Sequence, residues 1–207
     1  MLGPPPDWTH DYSRTDTCHR YNGLMTALAI LAREVGVHER TLRRAVAEGS
    51  LRAARPSPRT LDMSLSEREY VRRSWKLLSA LRAALRTEHN VRFALLFGSV
   101  ARGTSAAGSD VDMLVTLRDG RLERVVELSA KLTDATGRRV DVVRLEDAES
   151  EPSFLADVVA DGRVLVDRGG LWPRLRSREP SLRRTGRVRQ AERTGAALAG
   201  LDRVLAP

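Results

Sequence analysis

The chain has 207 residues, a net charge of +8, and 42% hydrophobic and 30% charged residues, the balance of a soluble globular protein of one medium or two small domains. No apolar run approaches the ~18 residues of a membrane span, and Pro4-Pro5-Pro6 stands where a signal peptide would place a basic and then an apolar segment. On those two grounds a cytoplasmic protein with no membrane partner is expected, and the single Cys18, which excludes an internal disulfide, fits a reducing compartment.

The positive charge is almost all arginine, with lysine only at 76 and 131, and it is unevenly placed. Residues 28–73 carry 10 basic against 6 acidic side chains, residues 171–207 carry 9 against 3, and residues 90–168 carry 11 against 14. A mildly acidic centre between basic flanks predicts polyanion contact outside the centre; solvated helix faces are the plainer reading of either flank.

Residues 1–23 combine prolines, scattered Asp and Thr and no apolar period, and are expected to be a disordered leader. Met25 directly precedes the first patterned segment, which leaves the start codon open between Met1 and Met25. Cys18-His19 is one adjacent pair and does not make a metal site. Over 24–63 a small helical domain is predicted. Leu28, Leu31, Ala32 and Val35 recur at helical spacing, Gly36 breaks the helix, and Leu42, Ala45 and Val46 resume the pattern. Ala32, Gly36 and Leu42 fall where a helix-turn-helix needs its small residue, its turn and its seating residue. Thr41, Arg43, Arg44 and Glu48 would then lie on the outer face of a recognition helix, and Thr41, Arg43 and Arg44 are the DNA-binding candidates. The glycine, prolines and arginines of 49–59 read as a wing or basic loop, similar to the small winged helix-turn-helix domains of bacterial regulators. A structural or protein-docking helix pair is the alternative.

A connecting helix is predicted over 64–89, with Ser66-x-x-Glu69 and Ser64-x-x-Glu67 both of capping-box form and Val71, Trp75, Leu78, Leu81 and Leu85 as its core stripe. The apolar run Val91 to Phe97 reads as a buried strand that stops at Gly98-Ser99. A small-residue loop follows, then a second apolar run carrying Asp110 and Asp112. Residues two apart on a strand share a face, so these two carboxylates stand side by side and call for a cation; hard oxygen ligands suit Mg²⁺ or Mn²⁺. Asp141, in the apolar run 139–145, is the expected third carboxylate on a neighbouring strand. Gly98 permits close backbone approach to a phosphate, and Ser99 offers it a hydroxyl and an amide N–H. A helix from Arg121 to Ala135 with Leu122, Val125, Val126, Leu128 and Leu132 apolar, a short helix over 153–160 and a last strand over 163–167 complete an α/β unit with a small mixed sheet.

Gly98-Ser99, ten residues, Asp110-Val-Asp112 and a strand-borne Asp141 resemble the minimal nucleotidyltransferase domain of the DNA polymerase beta superfamily, over about residues 90–168. The resemblance implies an NTP, ATP by preference, held by Gly98 and Ser99 with Arg102 neutralising charge, and Mg²⁺ or Mn²⁺ held by Asp110, Asp112 and Asp141 during transfer of a nucleoside monophosphate. Domains of this look occur as antitoxins, for which it implies AMP transfer to a tyrosine of a HEPN-type ribonuclease toxin as protein partner, and the helix-turn-helix would suit repression of an operon. A tRNA-modifying toxin, a DNA-binding regulator that senses nucleotide, and transfer to a small molecule are the competing readings. In the tail, 169–207, Pro173 and Pro180 argue against one continuous helix, and an amphipathic helix is expected only from Ser181 to Leu205. Its arginines would touch nucleic acid, a second copy or a partner.

Overall fold

Strand β3, Val91–Phe97, is buried along nearly its whole length because it lies between two other strands and under helices on both faces. The computed structural model describes residues 26–57 and 60–205, with side chains to 194. The expected leader, the Met25 start and the Cys18-His19 pair lie outside the described residues. In chain order the elements are α1 (Ala27–Glu34), α2 (Glu39–Ala47), β1 (Ala54–Ser57), β2 (Thr60–Asp62), α3 (Leu65–Thr87), β3, α4 (Gly98–Arg102), β4 (Val111–Leu117), α5 (Leu122–Thr136), β5 (Val140–Arg144), α6 (Leu145–Ala148), α7 (Pro152–Asp161), β6 (Arg163–Asp167) and α8 (Leu171–Leu205).

The main sheet has the order β5-β4-β3-β6 and is mixed: β3 runs antiparallel to β4 and β6, and β4 parallel to β5 through the α5 crossover. Alternation along β3 divides the interior. Ala94 and Leu96 enter a core with α3, α5 and the α1–α2 pair, whereas Phe93, Leu95 and Phe97 enter a second core with α7 and α8. Leu28, Leu31, Ala32, Leu42 and Ala45 belong to the first of these cores, so the N-terminal helix pair and the sheet share one interior.

Gly36 makes the α1–α2 turn at φ +72°, and the segment expected as a wing, 49–59, contains β1, which pairs antiparallel with β2 just beyond it. Ser64, not Ser66, caps α3: its hydroxyl accepts from Glu67 N at 3.2 Å. Three features depart from expectation. Residues 98–102, expected as loop, form the one-turn helix α4, and the acidic stretch after β5 begins in another, α6. Of the apolar residues of α5, Leu122 and Val126 are 68% and 59% exposed because the helix turns only the Val125, Leu128 and Leu132 side inward. The last helix starts ten residues before Ser181 and runs through Pro180. Pro173 falls in its first turn, where no N–H bond is lost, and Leu175 and Leu182 are buried against α7 on either side of Pro180; that packing outweighs the local penalty. Among the described residues no helix is long and apolar enough to cross a membrane.

Candidate active site

β3 ends at Phe97 and the chain turns at Gly98, whose φ of +72° lies where side-chain-bearing residues are strained. Packing demands the same glycine, since a Cβ there would collide with the Asp112 carboxylate, which the β3–β4 register brings beside it. Ser99 follows in the only full turn of α4, half-buried; its carbonyl accepts from Thr104 N at 3.0 Å, and its hydroxyl has no partner among the described residues.

Asp112 on β4 stands in direct register with Asp141 on β5. Val111 and Met113, and likewise Val140, point into the α3–α5 core, so both acids occupy the opposite face of the sheet, the one that carries α7 and α8. Asp110 sits just ahead of β4 and is exposed. Partial burial pushes the Asp112 carboxyl above the ordinary carboxylate range, the charges of Asp141 and Asp110 push it the same way, and Arg102 opposes them. Arg102 is itself tied to Asp161, Nη1 to Oδ2 at 2.7 Å, and Asp141 Oδ1 accepts from Arg139 Nε at 3.0 Å. Among the described residues no three His, Cys, Asp or Glu side chains are already gathered closely enough to hold a metal ion. The donor set nevertheless suits a divalent cation: hard oxygens, already repelling one another at Asp112, with Asp141 able to exchange the Arg139 guanidinium for a metal.

Behind α4 lies a buried polar joint with no local sequence signal beyond an arginine heading an apolar strand. Arg163, 2% exposed, donates Nε to Ala101 O at 2.6 Å, Nη1 to Glu67 Oε1 at 2.5 Å and Nη2 to Glu67 Oε2 at 2.9 Å, and lies 3.5 Å from the Tyr70 ring centre. Nη1 also reaches Ser50 O, and Arg52 N donates to Glu67 Oε1. Glu67, a capping-box candidate by spacing, thus links α3 to β6 and, through Arg163, to α4. Burial raises the Tyr70 hydroxyl to about 12 against the pull of the Arg163 charge, and among the described residues the hydroxyl makes no well-formed hydrogen bond, with only Ser74 beside it.

The structure brings Gly98, Ser99, Arg102, Asp110, Asp112 and Asp141 to one corner of the sheet and leaves Thr41, Arg43 and Arg44 on α2. There Arg43 pairs with Glu39 at 2.5 Å and Arg44 with Glu48 at 2.6 Å, and Thr41 is exposed.

Residues 80–169 match the family described as Polymerase beta, Nucleotidyltransferase. This segment is a polymerase beta-type nucleotidyltransferase domain. Chains of several solved structures are similar to the protein that carries it. One, in a crystal structure of a toxin-antitoxin with AMP-PNP, is 27% identical over 62% of this chain and 98% of its own, with a TM-score of 0.47. Another, in the toxin-antitoxin MntA-HepT, is 25% identical over 63% and 97%, with a TM-score of 0.43. A third, in a complex of a tri-AMPylated Shewanella oneidensis HEPN toxin with an MNT antitoxin, has the same identity, coverage and TM-score. No curated protein matches. The nucleotidyltransferase match spans α3 from residue 80, the whole main sheet and α4 to α7, and so includes every residue of the acid corner.

Proposed function

We propose that this chain is a divalent-metal-dependent nucleotidyltransferase that moves AMP from ATP to a protein hydroxyl, with a HEPN-type toxin as acceptor. The observation that supports the chemistry most is the register of Asp112 with Asp141 beside the Gly98-Ser99 turn. The partner rests on the motif resemblance drawn from the sequence.

In this reading Gly98 leaves the backbone bare toward the triphosphate, and the Ser99 hydroxyl and amide donate to its phosphate oxygens. Asp110, Asp112 and Asp141 are the residues that would hold Mg²⁺ or Mn²⁺. When bound, such ions neutralise charge on the phosphates and on the attacking and leaving oxygens. Asp141 orients the acceptor hydroxyl and takes its proton. The hydroxyl oxygen bonds to the α-phosphorus, the bond to the bridging oxygen of the β-phosphate breaks, and pyrophosphate leaves. Arg163 acts only from behind, fixing the carbonyl of Ala101 and with it the pitch of α4.

The test is incubation of the full chain with α-labelled ATP, Mg²⁺, a co-encoded helical ribonuclease and total tRNA. Label is expected on the protein partner, and replacing Asp112 by Asn should abolish it. Label in tRNA would replace the acceptor assignment, and undiminished transfer by the Asn variant would overturn the site.

A further inference from the structure

A cleft of about 890 Å³ runs between α2, α3, β6 and the start of α8, on the edge of the sheet opposite the β4–β5 acid pair. Its volume is that of a small-ligand pocket. Arg40, Arg44, Arg82 and Arg86 line it, together with Trp75 and Trp172, the two tryptophans among the described residues. Its acids are already engaged: Glu48 holds both Arg44 and Arg82, and Asp167 accepts the N–H groups of Leu171 and Trp172 at the head of α8. Arg168 directs its guanidinium at carbonyls of 85–91. The side chains of Arg40 and Arg86 are exposed and make no hydrogen bond or ion pair among the described residues. The cleft therefore presents uncompensated positive charge beside indole surface, which suits a ligand with phosphates at one end and a flat aromatic ring at the other.

We propose that this cleft is a second nucleotide site, separate from the acid corner, in which Arg40 and Arg86 take the phosphates and the base lies against Trp172. The alternative occupant, duplex DNA, is disfavoured by the wall facing α2. Thr41 and Arg44, which the sequence offers to a major groove, share the cleft with β6 and α8, whereas a reading helix must enter a groove about 12 Å wide with phosphate ridges on either side.

Equilibrium dialysis of the full chain against labelled ATP, with Mg²⁺, is expected to count two sites per chain. The double variant Arg40→Ala/Arg86→Ala should weaken one site at least tenfold and leave the other unchanged, and Ser99→Ala should do the converse. Ala47→Trp fills the cleft without removing charge and should suppress the same site as the arginine pair, which decides the matter if the double variant folds poorly. A single site, insensitive to both cleft variants, overturns the proposal, as does duplex DNA binding that is lost with Arg40 and Arg86 while ATP stoichiometry stays at one. Transfer activity is read separately, so loss of the cleft site with AMP transfer intact distinguishes this proposal from the assignment of the acid corner.

Discussion

Two carboxylates on either side of α4 are treated in opposite ways by the fold. Glu67 is buried and fully answered: two oxygens, the two Nη groups of Arg163 and the amide of Arg52. Asp112 is only partly buried, yet the charges of Asp141 and Asp110 outweigh that of Arg102 upon it, and its proton is held more tightly than an ordinary carboxylate's. A charge satisfied within the chain serves cohesion. One left in conflict with its neighbours is kept for something that arrives from outside.

The contrast is broken or sharpened by substitution, beginning with the largest expected effect. On the proposed assignment Asp112→Asn should lower nucleotidyl transfer about 10³-fold or more, since the charge proposed to hold the metal is lost where charge develops, while raising thermal stability at neutral pH. The sign follows from linkage. The folded state binds the Asp112 proton more tightly than the unfolded chain, so the group's contribution is complete below the ordinary carboxylate pKa and is lost as pH rises through the raised folded value. The stability gain of the Asn variant should therefore shrink toward nothing in melts run at falling pH. At the joint, Arg163→Ala should cost about 3–5 kcal/mol in denaturant unfolding, because Glu67 would remain buried and unpaired, whereas Arg163→Met combined with Glu67→Leu should restore most of that loss. If the double variant is as stable as the parent but transfers AMP more slowly at unchanged KM, the joint positions α4 as well as binding the chain together. Tyr70→Phe removes a buried hydroxyl that makes no well-formed hydrogen bond among the described residues, with only Ser74 beside it, and should change stability by no more than about 1 kcal/mol. The smallest effect is expected on α8, where Arg193 pairs with Glu151 in solvent at 2.6 Å with side chains 59% and 50% exposed; Arg193→Ala should leave the melting temperature essentially unchanged.

Much of the sheet was legible because its signals are local. An apolar run interrupted only by Arg92 and closed by Gly98 gives β3 with its observed ends, Arg163–Asp167 is the last strand as expected, and the helix pair flanking Gly36 appears where the periodicity puts it. Asp112 and Asp141 share a face because period-two alternation fixes faces before any pairing is known. What local pattern hides is partnership across distance. Glu67 and Arg163 are 96 positions apart, and by spacing alone Glu67 belonged to a helix cap. Pro180 pointed to a break in α8, but burial of Leu175 and Leu182 against α7 lies beyond the reach of propensity. Three arginines of that helix, Arg178, Arg183 and Arg193, tie to Glu149, Asp157 and Glu151 of the preceding elements, pairings that no local pattern announces.

β6 is the rim strand of the main sheet, and the N-terminal helix pair reaches across to cover part of it: Val164 N donates to Gly49 O at 3.1 Å, and Ser50 Oγ donates to Val164 O at 2.5 Å. A chain shortened to begin at α3 would uncover those backbone groups beside an apolar strand. Such a fragment is expected to self-associate strand to strand and to elute as high-mass aggregates at concentrations where the full chain does not.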